Sequence, residues 1–208
     1  MSDKTAERIS SVERRESILA AASRVFGERG YIGATTDQIA QAAGISQPYV
    51  VRMFGSKEAL FLEVLKRALD KLVVAFRSAI ADSAAAGESE DLLDARIGIA
   101  YVDLIEDRGI LLSLMQGFIM GHDAVIGKAA RDGFLVIYRI LRDEAHLEPD
   151  QIRAFLAEGM LFNTLFALRL PDEYESDEAA KELMECTFRT KLNMVLDVAG
   201  SRSVGGTA

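Results

Sequence analysis

Residues 18–61 read ILAAASRVFGERGYIGATTDQIAQAAGISQPYVVRMFGSKEALF, and this stretch decides the fold. A helix begins just ahead of it, at Val12, and Ile18, Leu19, Ala22, Val25 and Phe26 recur at helical spacing. Gly30 is its stop, because glycine tolerates the left-handed backbone of a helix end. Thr35 and Gln38 have capping-box spacing, and Asp37 complements the dipole of a second helix. Ile39, Ala42 and Ala43 face inward, and Gly44 turns the chain. Ser46 caps a third helix over Gln47–Phe54, with Pro48 in a first turn whose backbone donors are unpaired anyway. Val50 and Phe54, four apart, bury together and leave Gln47, Tyr49, Arg52 and Met53 outward. Ser56 followed by Lys57-Glu58 opens a longer fourth helix. Thr35–Phe54 is therefore laid out as a helix-turn-helix, a motif that presents its second helix to a DNA major groove.

The outward residues carry chemistry suited to that groove. Gln47 can bond an adenine edge at two points, and Arg52 can read guanine or hold a phosphate. Tyr49 can stack, touch a thymine methyl or reach a phosphate. Lys57 stands at a helix start, where its ammonium and the backbone N–H groups both favour a phosphate oxygen. A three-helix packing unit with a polar face would account for a bare glycine turn between helices, but not for the whole pattern.

That pattern resembles the N-terminal domain of TetR-type transcriptional regulators, the tetracycline-repressor family. The residues that carry the resemblance are Ile18, Ala21, Ala22, Phe26, Gly30, Tyr31, Thr35, Thr36, Ile39, Ala40, Ala43, Gly44, Ile45, Ser46, Phe54, Lys57, Leu60 and Phe61. The resemblance implies a homodimeric transcription factor released from a palindromic operator by a ligand. It implies that the third helix enters the major groove with Gln47, Pro48 and Tyr49 toward base edges, and that Thr36 and Lys57 hold phosphates. Arg14 and Arg15 would reach the DNA backbone from ahead of the first helix. The chain departs from the family at Val51, where a phosphate-holding tyrosine is usual, and at Pro48, where glycine is common. Both departures bear on which operator is chosen.

Outward from the motif, the charge is uneven. The net charge is −8, yet residues 1–60 hold 8 Lys/Arg against 7 Asp/Glu, so the acidity lies in the remainder. An acidic body behind a near-neutral head fits binding through one face and argues against a sequence-blind nucleic-acid coat. The chain is half apolar, has three prolines, and is rich in helix formers, which predicts an all-α protein. The single cysteine, Cys186, excludes an intrachain disulfide and a cysteine-cluster metal site. Two histidines without an acidic partner at ligand spacing make a metal effector a poor fit. No cofactor is implied, and no phosphate loop, dinucleotide fingerprint, nucleophile elbow or zinc-binding helix motif points to an enzyme. The charged N-terminus and the lack of a long apolar run predict a cytoplasmic protein with no membrane partner.

The rest of the chain completes a nine-helix TetR-like fold. The fourth helix runs to about residue 85, and further helices cover about 91–107, 110–121, 123–145, 148–170 and 177–199. The segment ILLSLMQGFIMG is apolar nearly all round and is expected to be buried. The expected organisation is a flexible arm over 1–11, a DNA-binding head over 12–72, a ligand-binding and dimerisation body over 73–199, and a disordered tail over 200–208. The resemblance makes the last two helices a dimer surface, with Phe155, Gly159, Phe162, Phe166, Phe188, Leu192 and Val195 as its candidates. An effector pocket is expected among Phe76, Tyr101, Leu111, Met115, Phe118, His122, Phe134, Tyr138 and Asn163. Its apolar and aromatic character suits a hydrophobic or aromatic small molecule oriented by a few hydrogen bonds. The competing reading is a helical regulator or interaction protein of the same shape that takes no effector, its body filled by Met115, Phe118 and Tyr138.

Overall fold

The computed structural model describes residues 10–104, 107 and 109–200. The flexible arm expected over 1–11 thus lies outside the described residues except for Ser10 and Ser11, and the tail expected over 200–208 does so except for Gly200. Among the described residues every regular element is helical.

Four helices make the head. Helix α1 (Ser11–Gly33) starts one residue before the expected Val12, because Ser10 and Glu13 form a reciprocal capping box. Gly30 takes φ 71°, ψ 165°, so the regular helix stops there and one more turn completes α1. Helix α2 (Thr36–Ala42) has the expected Thr35–Gln38 capping box; Ile39 and Ala40 are buried while Ala42 is exposed, against expectation. Helix α3 (Gln47–Phe54) buries Val50 and Phe54 as its spacing predicts. Ser46 sits at its N-cap position without a side-chain cap bond. Helix α4 (Lys57–Ala86) is capped by Ser56, whose hydroxyl accepts from the Ala59 N–H, and ends on Gly87 in the left-handed region.

The body follows as α5 (Glu90–Asp103), α6 (Ile110–Ile119), α7 (Ile126–Arg139) and α8 (Pro149–Ala167). The expected helix over 123–145 is shorter at both ends. The Asp123 carboxylate accepts from the N–H groups of Val125 and Ile126 at 2.8 Å each, which sets the start of α7. Past Arg139 the chain widens into a π turn, Ile140–Glu144. The last expected helix is broken into α9 (Glu178–Phe188) and α10 (Leu192–Gly200), because Arg189 adopts φ 44°, ψ −116°. Segment 110–121 is not buried all round: Ile119 is 64% exposed.

Two apolar cores result. The head core joins Ile18, Phe26, Ile39, Val50, Phe61 and Val64 and takes in Met120 and Ile126 from beyond α6. The body core joins Phe76, Ile97, Ile110, Leu141, Ile152 and Met184. Along α4 the change from one core to the other falls between Leu65 and Ala68.

Helix α6 ties the two together. Gly109, at φ 95°, lies so close to α1 that a Cβ there would stand 2.4 Å from the Ser23 carbonyl oxygen. The Ser113 hydroxyl donates to that same oxygen at 3.1 Å, and the Gln116 side-chain oxygen accepts from the Tyr31 N–H at 3.4 Å. A charged cluster reinforces the junction. Arg67 on α4 bonds Glu16 on α1 at 2.5 Å and Asp107 at 2.7 Å, and Lys71 also bonds Asp107.

Candidate nucleic-acid interface and body cavity

The outward side of α3 presents Pro48, Val51 and Arg52, all exposed. Gln47 and Tyr49 are half-buried, and Met53, expected to point outward, packs partly on the head core. The polar residues of the motif are already engaged with one another. Gln47 Nε2 donates to Thr36 Oγ1 at 3.1 Å, so the supposed base reader and the supposed phosphate holder are joined. The Arg52 guanidinium lies 4.9 Å from the centre of the Tyr49 ring, and that of Arg14 lies 5.9 Å from it. Arg15 bonds Glu63 at 3.0 Å and covers the Phe54 ring at 5.0 Å. It therefore braces α1 against the end of α3 and the start of α4.

Lys57 departs furthest from expectation. Its ammonium turns toward the loop after α1 and donates to the carbonyl oxygens of Tyr31 (3.0 Å), Ala34 (3.1 Å) and Ile32 (3.4 Å). It also lies 4.7 Å from the centre of the Tyr31 ring. An ammonium has three protons, and these carbonyls can use all of them. Lys57 is thus a brace for the start of the helix-turn-helix, and a phosphate would have to compete with that role.

In the body, a cavity of ≈310 Å³ opens between α4, α6, α7 and α8. Its walls include Leu62, Leu65, Leu69, Leu72 and Phe76 on α4, Leu114 and Phe118 on α6, Phe134 and Ile137 on α7, and Phe155, Leu156 and Gly159 on α8. Tyr101 and Asn163 supply its buried polar groups, joined by a hydrogen bond of 3.0 Å from the tyrosine hydroxyl to the Asn163 oxygen. Burial pushes the Tyr101 pKa up to about 12, so the phenol keeps its proton. Lys66 and Asp132 also line the cavity and are held in exposed ion pairs with Asp70 and Lys128.

Five of the nine expected pocket residues meet there: Phe76, Tyr101, Phe118, Phe134 and Asn163. Leu111 is instead in the body core, Met115 lies outside the lining, and Tyr138 packs on the core beneath Arg142. His122 is exposed, in the short turn before Asp123. The leucine row of α4 was missed; its signal was a helix whose apolar residues outnumber those one core needs.

The expected dimer residues are also placed differently. Phe155 and Gly159 line the cavity, with the Tyr101 ring filling the space beside Gly159. Phe162 packs against Tyr101 and Phe188, and Phe166 against Phe188, with ring centres 5.2–6.3 Å apart. Val195 is fully buried in the body core and Leu192 packs against it. These positions bind the chain to itself. The outer side of α8 carries a different row, Ala154, Ala157, Leu161, Thr164 and Leu168, at steps of three and four; α9 carries Ala179, Leu183 and Cys186 in the same rhythm. All eight are exposed.

The described residues thus combine a helix-turn-helix head with an all-helical body that encloses an apolar cavity. Residues 18–64 match the family of bacterial regulatory proteins, tetR family. Among curated relatives, the HTH-type transcriptional activator FasR of Mycolicibacterium smegmatis is 48% identical over 68 residues, 33% of this chain and 31% of that protein. The HTH-type transcriptional regulator RutR of Escherichia coli K12 is 40% identical over 57 residues, 27% of each chain. The chain therefore matches less than a third of these relatives' length. The crystal structure of a TetR-like transcriptional regulator from Rhodococcus sp. RHA1 is similar across 96% of this chain and 100% of that one, with a TM-score of 0.55 at 20% identity. That likeness extends the shared fold to the body. Among the described residues no helix is long and apolar enough to cross a membrane, and no cluster of side chains could hold a metal ion.

Proposed function

We propose that this chain is a sequence-specific DNA-binding transcriptional regulator, a homodimer that represses from a palindromic operator until an apolar or aromatic small molecule enters the body cavity. The observation that carries the reading is the exposed outer side of α3, braced from behind by Arg15, within a segment that matches the tetR family. Thr36, Gln47, Pro48, Tyr49 and Arg52 are the residues offered to the duplex. Arg15 acts by holding α3 in place, and Lys57 by holding the loop that leads into α2. Two copies joined through the exposed rows of α8 and α9 would set their recognition helices about 34–36 Å apart, or a multiple of a DNA turn. A ligand acts if it binds the released arrangement better than the DNA-bound one.

The effector-free alternative fares worse on one observation. Phe118 lines the cavity instead of filling it, and Met115 and Tyr138 stand outside, so ≈310 Å³ remains available. Selection of a random double-stranded DNA pool with the full chain tests the reading. An enriched palindrome supports it; no enrichment at moderate salt removes it. A reporter placed behind that palindrome then separates repression from activation.

A further inference from the structure

We infer that Pro48 and Val51 form a reader of thymine methyl groups, an assignment that rests on the DNA-binding reading and specifies what α3 recognises. Both residues are exposed, Val51 by 39%, and at three apart they share one side of the helix. The residues of α3 that build the head core are Val50 and Phe54, a different side of the helix, so packing of the chain leaves Pro48 and Val51 unused. The polar readers are differently placed: Gln47 is bonded to Thr36 and the Arg52 guanidinium lies over Tyr49. Drawing either onto a base edge sacrifices a contact it already has. Docking Pro48 and Val51 sacrifices none.

Among the four base pairs only those with thymine present a methyl group in the major groove, and apolar side chains discriminate by touching it. The two residues suit that task for a second reason. Proline has no side-chain freedom to lose, and a β-branched valine in a helix is held to nearly one rotamer. The apolar surface is therefore already in its bound shape.

Deoxyuridine differs from thymidine only by the missing methyl, which makes the test atomic. The full chain first selects its site from a random duplex pool, and each thymine of that site is then replaced singly by deoxyuridine. At each contacted position the affinity is expected to fall about fourfold, the worth of one buried CH2 group. Val51→Ala and Pro48→Ala, exposed positions given a better helix former, should shrink that loss to under about twofold while leaving the melting temperature unchanged. An enriched site that binds equally well with deoxyuridine at every position overturns this inference alone. A deoxyuridine penalty that persists undiminished in both variants assigns the methyl to another side chain and overturns it as well. A chain that enriches no site overturns the DNA-binding reading and this inference together.

Discussion

At the scale of the residue, Lys57 is the most instructive side chain. Its sequence position, just inside a helix start, suggests a phosphate ligand, but its ammonium is spent on the carbonyls of residues 31, 32 and 34. Lys57→Met should therefore lower the stability of the head by about 1–3 kcal/mol, since several charge-assisted bonds are lost from a partly exposed site. The salt dependence of DNA binding should stay as it is; a slope shallower by about one would return Lys57 to the phosphate. Denaturant unfolding and a salt titration of affinity give the two readings. What sequence misses here is direction. Spacing fixes which turn a long side chain leaves from, not whether it reaches out to a partner or back to a loop 23–26 residues away.

Among the elements, the head was nearly all legible and the body only in outline. Caps and glycines decide the head, and these are local: the Thr35–Gln38 box, the Gly30 stop and the Val50–Phe54 pair stand where their spacing puts them. The body is decided by contacts far apart in sequence. Nothing near Phe162 tells whether it meets Phe188 of its own chain or a second copy, and the helix over 177–199 gives no signal of its break at Arg189. Gly109 shows the same blindness. It reads as an interruption, yet it lets α6 touch the backbone of α1. Gly109→Ala sets a Cβ 2.4 Å from the Ser23 oxygen and strains a residue at φ 95°. The two effects together should cost roughly 2–5 kcal/mol, read as a lower unfolding midpoint. An unchanged midpoint would mean that α6 is not held against α1 in solution.

For the whole molecule, the question is what fastens the head to the body and, in the proposed dimer, one copy to another. The Glu16–Arg67–Asp107–Lys71 cluster spans α1, α4 and the segment before α6. Burial pushes the Asp107 carboxyl up, but the bonds from Lys71 and Arg67 and their charges outweigh it and hold its pKa below the ordinary 3.8. A depressed carboxylate adds stability above its ordinary pKa and loses it as the pH falls through the folded value. Wild-type stability should thus fall more steeply below pH 3.8 than that of Asp107→Asn, which should be less stable throughout the neutral range. Parallel urea midpoints from neutral pH down to pH 2.5 would dismiss the cluster as a fastening. Between copies, Leu161 is the position to test, since it is exposed and central in the outer row of α8. Leu161→Glu should halve the sedimentation mass and leave the monomer folded, whereas a charge at Phe162 would strike the chain's own aromatic packing. An intact dimer would put the interface elsewhere.

The unbroken length of α4 has a mechanical side. Thirty residues make a rod of about 45 Å, with the helix-turn-helix at one end and five of its inner residues lining the cavity. Pivoted at its far end, such a rod carries the near end by roughly 4 Å for a swing of about 5°, more than the 3.4 Å rise of one base along a DNA strand. The same swing moves the Leu62 end of the leucine row by about 3 Å and the Phe76 end by about 1 Å, so the shape of the cavity and the position of α3 change together.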